Sequence, residues 1–393
     1  MKTFVQFGAG NIGRSFVGRL FAEAGYQVIF IDVDARLVAL LNECRSYPVI
    51  VKQNDRADEV RLVQDVRAID GNDGKVVIDA VVAADIIATS VGQRGLQAIF
   101  PLLAEALRRR RAERRPPLDV IIAENLRAGA AWFREHLHAL LPDDFALDEH
   151  VGLIATSIGK MVPIMPQSAL NEDPLQLFTE PYDTLIVDRR AFRGPLPPLA
   201  GLKPVDNIAA WVDRKLFLHN MSHSAVAYLG YQADRELTYI WQAMEIPAVV
   251  DAVQGALRQT SAALVRAYPH DLSADELAAH AADLLDRYRN RSLGDTIYRV
   301  GRDLRRKLAR DDRLVGACLL AARHMLPFDR MVPAIRAAVD FTAVDAQGQR
   351  GQADQDFRQA IARRGARAVL VEVAGLDPDQ PLDQMVLDAC FAE

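Results

Sequence analysis

The chain has 393 residues, which is long enough for two domains of ordinary size. Half of its residues are hydrophobic, a quarter are charged and the formal net charge is −5, a globular composition that gives no reason to expect nucleic acid as a partner. The three cysteines are far apart and form no C-x-x-C pair, which argues against a disulfide framework and a structural zinc site.

Short apolar runs alternate with helical patterns over the first two hundred residues. The apolar runs predict buried strands at Thr3–Phe7, Gln27–Asp32, Asp85–Ser90 and Asp119–Ala123. Apolar residues at three- and four-residue spacing predict helices at Arg14–Ala24 and Gly95–Arg111. Strands that alternate with helices imply parallel pairing with right-handed crossovers, so we expect an α/β domain with a doubly wound, Rossmann-type sheet.

A run of arginines ends the second of these helices. Arg108–Arg111 is followed by Arg114 and Arg115, just before a pair of prolines. Cations are favoured at the C-terminus of a helix, and such runs are usually solvated. We therefore predict a solvated helix end rather than an anion-binding patch.

The segment Gly194–Pro204 holds four prolines and two glycines, which argues against a regular element there. We predict a domain boundary in this segment, with a nucleotide-binding domain at 1–200 and a mostly α-helical substrate domain at 201–393. Amphipathic patterns in the second domain predict helices at Asn207–Tyr231, Ile246–Tyr268, Ala274–Arg289 and Val332–Val339.

A glycine-rich motif follows the first predicted strand and opens the first predicted helix. It has the form G-x-G-x-x-G and consists of Gly8, Ala9, Gly10, Asn11, Ile12 and Gly13, with Arg14 next in the chain. In this context the glycines allow a tight turn, close approach of a pyrophosphate and close helix–strand packing. The phosphates would lie at the helix N-terminus, where free N–H groups favour negative charge.

The nature of the nucleotide is indicated by Asp32, which ends the second predicted strand nineteen residues after Gly13. A carboxylate at this place accepts hydrogen bonds from the adenosine ribose and repels a 2′-phosphate. We therefore predict NAD as the cofactor rather than NADP, although Arg36 nearby could soften that preference.

The segment Trp211–Tyr231 combines three side chains capable of proton chemistry. If it is α-helical, Lys215, Asn220 and His223 fall within a sector of roughly 140°. One side of a single helix could then present an amine, an amide and an imidazole to a substrate. No H-E-x-x-H motif or Cys/His cluster offers a zinc site, and no Tyr-x-x-x-Lys pair is present.

The spacing K-x4-N-x2-H after a Rossmann domain resembles the polyol-specific long-chain dehydrogenases, the mannitol dehydrogenase family. The likeness runs nearly from end to end and includes the segments Phe7–Arg14 (FGAGNIGR), Ile121–Asn125 (IIAEN), Arg214–Phe217 (RKLF), Ala227–Gly230 (AYLG), Arg299–Arg302 (RVGR) and Arg306–Leu308 (RKL).

The resemblance implies a metal-independent secondary-alcohol dehydrogenase. The family's catalytic lysine corresponds to Lys215, which would take the hydroxyl proton during oxidation and return it during reduction. Asn220 and Asn125 correspond to two amides that would stabilise the developing alkoxide, and His223 would orient the reacting hydroxyl. Within the family, the likeness favours the branch that converts D-mannitol 1-phosphate and NAD+ to D-fructose 6-phosphate and NADH.

Two departures from the family pattern bear on the substrate. Ile158-Gly159-Lys160 stands where close members carry Val-Asp-Arg, and Leu304 replaces a proline in the last basic motif. If the missing Asp-Arg pair shapes the substrate pocket, another polyol, a pentitol phosphate or a hexuronate such as fructuronate or tagaturonate would be the substrate instead. The basic residues Arg302, Arg306 and Lys307 are candidate partners of a substrate phosphate or hydroxyl, or else form a solvated helix.

A protein that senses NAD(H) without turnover is a further alternative, disfavoured by the presence of all three helical side chains. The expected partner is a small sugar alcohol or ketose phosphate. No apolar stretch reaches the roughly 18 residues of a membrane span, and the early glycine-rich turn leaves no room for a signal peptide, so we expect a cytoplasmic protein without membrane contact. No heptads or obvious interface appear, and we expect a monomer or a small homo-oligomer.

Overall fold

The computed structural model describes residues 1–54, 56–163 and 165–391. The chain divides into two compact units, Met1–Ile208 and Ala209–Glu393, called unit 1 and unit 2 below. The boundary expected from the sequence lies a few residues before this division. Unit 1 carries a Rossmann-type sheet and unit 2 is mostly helical, which confirms the predicted fold class.

The strands of unit 1 form a large sheet and a small one. In chain order they are β1 (Thr3–Phe7), β2 (Gln27–Asp32), β3 (Ser46–Val51), β4 (Glu59–Gln64), β5 (Val66–Asp70), β6 (Ile86–Thr89), β7 (Leu118–Ile122), β8 (Val151–Ser157), β9 (Leu177–Thr179), β10 (Leu185–Asp188) and β11 (Leu202–Val205). The large sheet has the order β11-β10-β8-β7-β6-β1-β2-β5 and the small one β4-β3-β9. From β8 to β5 every pair is parallel, whereas β10 runs antiparallel to β8.

Helices cover the large sheet of unit 1. The α-helices are α1 (Arg19–Glu23), α2 (Ala35–Cys44), α3 (Gly74–Ala83), α4 (Gly92–Ala112), α5 (Gly129–His138), α6 (Leu147–His150) and α7 (Gln167–Glu172); Gly13–Gly18 is a π-helix and Arg189–Ala191 a 3-10 helix. Neighbouring side chains of β1 enter different hydrophobic clusters, Phe4 one and Val5 the other. The sheet is therefore buried on both faces, as expected for parallel strands that read as continuous apolar runs.

The strand order places a switch point at β1. From β1 the chain passes to β2 on one side and later to β6 on the other. In open α/β sheets, ligands bind beyond the carboxyl ends of the strands at such a point. The glycine-rich motif and Asp32 both lie at this edge.

Two sequence predictions in unit 1 were wrong in part. The proline-rich segment ends in a regular strand, because β11 pairs with β10 and includes Pro204. Proline is tolerated there because β11 is an edge strand, which leaves the missing N–H on the unpaired side.

The arginine run is also not wholly solvated. Arg110 is buried and its guanidinium donates to the carbonyl oxygens of Val81, Val82 and Ala84 at the C-terminal end of α3. Its neighbours Arg109 and Arg111 form exposed ion pairs, as predicted for a helix end. The buried guanidinium satisfies carbonyl groups that would otherwise lack partners.

Unit 2 consists mainly of helices. They are α8 (Ile208–Asp213), α9 (Met221–Ala233), α10 (Ile240–Ala243), α11 (Pro247–Ala267), α12 (Ala274–Tyr288), α13 (Ile297–Gly301), α14 (Leu304–Lys307), α15 (Val315–Arg323), α16 (Val332–Val339), α17 (Gln352–Arg364), α18 (Ala366–Ala374) and α19 (Pro381–Phe391), with a π-helix at Arg214–Asn220 and a 3-10 helix at Arg291–Leu293.

Three features of the described residues concern membranes, metal ions and thiols. None of their helices is long and apolar enough to cross a bilayer. The same residues contain no cluster of His, Cys, Asp or Glu that could hold a metal ion. The three cysteines, Cys44, Cys318 and Cys390, are free thiols.

Candidate active site

The glycine-rich loop of unit 1 has the backbone that its glycines predict. Gly8 has φ +90°, and a Cβ there would lie 2.6 Å from the carbonyl oxygen of Ser90. A Cβ on Gly13 would lie 2.0 Å from the carbonyl oxygen of Gly8. A Cβ on Gly10, by contrast, would meet no atom within 4 Å. The loop therefore packs tightly at its two ends and leaves open space in its middle, where a pyrophosphate would approach.

Asp32 is tied to this loop by hydrogen bonds. Its Oδ2 accepts the backbone N–H of Ala9 at 2.7 Å, and its Oδ1 accepts the N–H of Asp34 at 3.0 Å. Each carboxylate oxygen keeps a second lone pair for a ribose hydroxyl. Asp32, Gly8 and Gly10 line a cavity of about 350 Å³. The open middle of the loop, the cavity and the carboxylate fit a dinucleotide.

The other predicted cofactor residues differ in their surroundings. Asn11 and Ile12 begin the helix that follows the loop, and Asn11 is exposed. Arg14 is buried, and its guanidinium donates to the carbonyl oxygens of Ala9 at 2.6 Å and of Leu175 at 2.7 Å. Burial lowers the pKa of Arg14. The Arg14 side chain therefore supports the loop from within unit 1.

Asn125 lies at the same edge of the sheet. It is exposed and follows β7 by three residues. The ladder between strands continues beyond β7, because Ala123 N–H donates to the carbonyl oxygen of Thr89 at 3.0 Å. This bond fixes the backbone at Ala123, two residues before Asn125.

In unit 2 the predicted helix is continuous but changes geometry within the motif. Arg214–Asn220 is a π-helix between α8 and α9. Residues five apart are linked by the i→i+5 bond of a π-helix, whereas α geometry would separate them by about 140°. Lys215 and Asn220 are five residues apart, so the π-helix brings them nearer to one face than the sequence prediction allowed. Single π-turns inside α-helices occur frequently at functional sites.

The surroundings of Lys215 favour its neutral form. Burial lowers its pKa to about 8, and the positive charges of Arg313 and Arg306 act in the same direction. Asp312 opposes them, but it is itself shared with Arg313, whose Nε lies 2.7 Å from Asp312 Oδ1. A lysine with this pKa can exchange a proton near neutral pH.

His223 is held by two neighbours in unit 2. Its Nε2 lies 3.3 Å from Oδ2 of Asp295, and its ring stacks on Tyr288 with centroids 4.9 Å apart and planes 3° apart. Asp295 is 6% exposed and also forms an ion pair with Arg299. Burial favours the neutral form of Asp295 and by itself would raise its pKa. The bonds from His223 and Arg299 outweigh this effect and hold the pKa of Asp295 below its usual value.

Sequence reasoning missed Asp295 and Arg299 as part of this cluster. The signal available was their spacing of four residues, which is typical of an ion pair on a helix. Nothing local connects Asp295 to His223. The loop before α13 is pinned by backbone bonds, with Ile240 N–H donating to the carbonyl oxygen of Asp295 at 2.9 Å.

The three basic residues proposed for the substrate have different environments. Arg302 is exposed. Arg306 forms ion pairs with Asp303 at 2.5 Å and Asp312 at 3.3 Å. Lys307 is buried and donates to the carbonyl oxygen of Val300, and burial lowers its pKa to about 7. Lys307 therefore does not lie on a solvated helix face, and the side chains of Arg306 and Lys307 are already bonded within unit 2.

Lys160 stands where the sequence resemblance would place an arginine, and its side chain makes its hydrogen bonds within unit 1. Its ammonium group donates to the carbonyl oxygens of Glu180 at 2.9 Å and Tyr182 at 2.5 Å, and to Oδ1 of Asp183 at 2.9 Å. The same carboxylate receives the guanidinium of Arg19 at 2.5 Å. Lys160 therefore links the segment after β8 to the segment before β10.

Both units match models of one protein family. The model described as the mannitol dehydrogenase Rossmann domain matches residues 2–201, and the mannitol dehydrogenase C-terminal domain matches residues 207–379. Among solved structures, the chain is similar to the Pseudomonas fluorescens mannitol 2-dehydrogenase ternary complex with NAD and D-mannitol. The identity is 16% and the TM-score 0.78, over 99% of this chain and 91% of that chain.

A D-sorbitol dehydrogenase in substrate-free form is similar to the same degree. The identity is again 16% and the TM-score 0.78, over 98% of this chain and 91% of that chain. At this level of identity, the likeness to solved structures shows the fold.

Proposed function

The chain belongs to the mannitol dehydrogenase family, and on that premise we propose that it is an NAD-dependent polyol dehydrogenase. It interconverts a secondary alcohol of a sugar alcohol and the ketone of the corresponding ketose. The observation that carries the proposal is Lys215, a lysine whose pKa is lowered to about 8 and which lies in the same π-helix as Asn220.

We assign the general base to Lys215. In oxidation its neutral amine accepts the proton of the reacting hydroxyl, and in reduction its ammonium returns that proton to the carbonyl oxygen. The bound nicotinamide supplies the other half of the chemistry by accepting or donating a hydride. A base with a pKa near the working pH is present in useful amounts in both forms, which suits a reversible reaction.

The oxygen that carries developing negative charge needs donors. The amides of Asn220 and Asn125 are assigned to this role, because an amide N–H is a donor without a charge of its own. His223 is assigned to the orientation of the reacting hydroxyl. Asp295 and Tyr288 support this role because they restrict the orientation of the imidazole. Asp295 contacts Nε2 at the edge of the ring, and Tyr288 stacks on its face.

NAD is the proposed cofactor. Gly8–Gly13 would receive the pyrophosphate, and Asp32 would accept hydrogen bonds from the adenosine ribose. A carboxylate already held by the Ala9 and Asp34 amides is unfavourable for a 2′-phosphate, because the like charges repel.

We propose D-mannitol 1-phosphate as the polyol and D-fructose 6-phosphate as the ketose, the activity of a mannitol-1-phosphate 5-dehydrogenase. The nearly full-length sequence likeness supports this choice. Arg302 and Arg306 are both exposed, but Arg306 is already paired with two carboxylates, so Arg302 is the better suited to a phosphate, which Arg binds in bidentate fashion.

A second candidate is a family oxidoreductase for an unphosphorylated polyol, a pentitol phosphate or a hexuronate. The ion pairs of Arg306 and the hydrogen bond of Lys307 favour this second candidate. The Arg306 guanidinium is paired with two carboxylates and the Lys307 ammonium is bonded to Val300, so these groups have few N–H donors left for a phosphate. The position of Lys160 is neutral between the two candidates, since its ammonium is used by Glu180, Tyr182 and Asp183.

The test is the oxidation of NADH by purified protein with fructose 6-phosphate, free fructose, fructuronate and a pentulose phosphate. A kcat/KM for fructose 6-phosphate at least about a hundredfold above the others would support the phosphate substrate, a difference of about 2.7 kcal/mol. Preference for another ketose would support the second candidate. No turnover with any of these ketoses, under conditions where NADH binds, would contradict the enzyme assignment.

A further inference from the structure

The carboxylate of Glu124 holds the turn that joins β6 to α4. Its Oε1 accepts the backbone N–H of Val91 at 2.8 Å, and its Oε2 accepts the N–H of Gly92 at 2.9 Å. Glu124 follows β7, so these bonds connect the ends of two neighbouring parallel strands. Both carboxylate oxygens are used, each by a different residue of the turn.

Glu124 is well suited to this position by charge. It bonds to the first backbone N–H groups of α4, whose N-cap Val91 offers no side-chain acceptor. A carboxylate is stabilised at a helix N-terminus by the unpaired N–H groups and the helix dipole. Burial raises the pKa of Glu124, while the bonds from Val91 and Gly92 oppose that rise.

The turn held by Glu124 packs against the glycine-rich loop. A Cβ added to Gly8 would lie 2.6 Å from Ser90 O and 3.0 Å from Val91 Cγ1, so the two segments are in close contact. Val91 and Ser90 also line the cavity that contains Asp32. Any movement of the turn would therefore change the wall of the nucleotide cavity.

Glu124 is also the residue before Asn125. Fixing the Glu124 side chain at two points restricts the backbone from which the Asn125 amide projects. An oxyanion donor acts through its exact placement, and a displacement of about 1 Å can cost about a hundredfold in rate.

We propose that Glu124 is a positioning residue of the dehydrogenase, whose carboxylate fixes the Ser90–Gly92 turn beside the nucleotide loop and the adjacent Asn125 amide together. This inference rests on the proposed function. Glu124 itself touches neither the substrate nor the cofactor in this role. It acts on cofactor affinity through Val91 and on turnover through Asn125.

The isosteric variant Glu124→Gln separates this role from simple packing. Glutamine keeps the size of the side chain but has one acceptor oxygen, and its NH₂ group faces a backbone N–H that also needs an acceptor. Glu124→Asp keeps both acceptor oxygens on a shorter stem. Glu149→Gln is the matched control, because Glu149 is an exposed carboxylate of unit 1.

Three quantities are measured for each variant: the Kd for NADH by fluorescence titration, kcat with the best ketose, and the midpoint of thermal unfolding. We expect Glu124→Gln to weaken NADH binding about tenfold, as expected for a lost hydrogen bond to a charged group, and to lower kcat as well. Glu124→Asp should recover part of both losses, and Glu149→Gln should match the wild type. A variant that only loosens the fold would lower the unfolding midpoint and leave Kd and kcat of the folded fraction unchanged.

The route through Asn125 is tested by the double variant Glu124→Gln/Asn125→Ala. If Glu124 acts on turnover by placing the Asn125 amide, the double variant has about the kcat of Asn125→Ala alone. A full additional loss of kcat would contradict that route.

Wild-type values of Kd and kcat in Glu124→Gln, or equal values in the Gln and Asp variants, would overturn the inference and leave the proposed function intact. A wild-type protein that binds NADH and reduces no ketose would instead contradict the proposed function, and with it the role in turnover. The NADH titration of Glu124→Gln would still decide the role in cofactor binding.

Discussion

His223 Nε2 lies 3.3 Å from Asp295 Oδ2, so a carboxylate from the loop before α13 fixes the imidazole that projects from α9. In this contact Nε2–H is the donor and the Asp295 carboxylate the acceptor. Asp295 also pairs with Arg299, so one buried carboxylate sets the positions of an imidazole and a guanidinium.

Replacing Asp295 by Asn should therefore impair catalysis without removing any proposed catalytic group. The neutral amide loses the ion pair with Arg299 and no longer selects one orientation of His223. We expect kcat/KM to fall about a hundredfold, the cost of misplacing a group by about 1 Å. Steady-state kinetics of Asp295→Asn measure this. Asp286→Asn is the control, because Asp286 is 81% exposed and pairs with Arg289 at the protein surface. Equal kinetics in the two variants would contradict the role of Asp295.

Removal of the Arg313 charge should shift the pH profile of oxidation upward. In the proposed mechanism the neutral form of Lys215 is the base, so the oxidation rate should rise with pH around the pKa of about 8. Arg313 lowers that pKa, and Arg313→Gln removes both this charge and one of the two cations paired with Asp312, which acts in the opposite direction. Both effects raise the pKa of Lys215.

The rate of polyol oxidation by Arg313→Gln at pH 7 should therefore be about three- to tenfold lower, with recovery at higher pH. Profiles of kcat against pH for the wild type and the variant measure the shift. Arg305→Gln removes an exposed cation that pairs with Glu372, and its profile should coincide with that of the wild type. A downward shift in Arg313→Gln would show that this charge does not act on the base as described.

Replacement of Asp32 by Ser should change cofactor choice. The variant loses the charge that repels a 2′-phosphate and the acceptor of the Ala9 amide. We expect the ratio of kcat/KM for NADPH to that for NADH to rise about a hundredfold, through both a gain with NADPH and a loss with NADH. Kinetics with the two cofactors measure the ratio. Asp79→Asn, which removes an exposed carboxylate of unit 1, should leave the ratio unchanged.

Replacement of Asp183 by Asn should destabilise unit 1. The carboxylate neutralises Lys160 and Arg19, whose side chains are 0% and 1% exposed. Removing one partner of a buried ion pair leaves an uncompensated charge, which costs about 3 kcal/mol or more. Urea unfolding measures the loss. Asp144→Asn breaks an exposed ion pair with Arg111 and should cost at most about 1 kcal/mol.

The Asp183→Asn variant also tests how the carboxylate's contribution to folding stability changes with pH. The cations around Asp183 hold its pKa below the ordinary value of 3.8. A group with a lowered pKa stabilises the folded state at neutral pH, and this contribution is lost as the pH falls through the ordinary value and below it. The gap in stability between wild type and Asp183→Asn should therefore narrow in acid. A gap that widens below pH 5 would contradict this sign.

The glycine-rich turn could be predicted because its signal is local. Gly8, Gly10 and Gly13 are required by the turn itself, and Asp32 ends the next strand. The central strands were predicted to within a residue because buried parallel strands read as uninterrupted apolar runs. In unit 2 the helices over Pro247–Ala267, Ala274–Tyr288 and Val332–Val339 follow from the same kind of periodicity.

The rest depends on contacts that no local pattern encodes. The π-helix at Arg214–Asn220 leaves the apolar spacing on either side unchanged, so the sequence predicts an ordinary α-helix there. Arg110 is buried where its guanidinium bonds to carbonyl groups at the C-terminal end of α3. Glu124 accepts hydrogen bonds from residues 33 and 32 positions away, and Asp295 is distant in sequence from His223.

The turnover of Lys215→Ala, measured together with its affinity for NADH, tests the proposed general base. We expect the variant to bind NADH with a Kd within about twofold of the wild type, because the proposed nucleotide site lies in unit 1. We also expect it to lose about a thousandfold in kcat, the contribution of a general base. A Lys215→Ala variant that keeps kcat within tenfold of the wild type would contradict the assignment of Lys215 and the mechanism built on it.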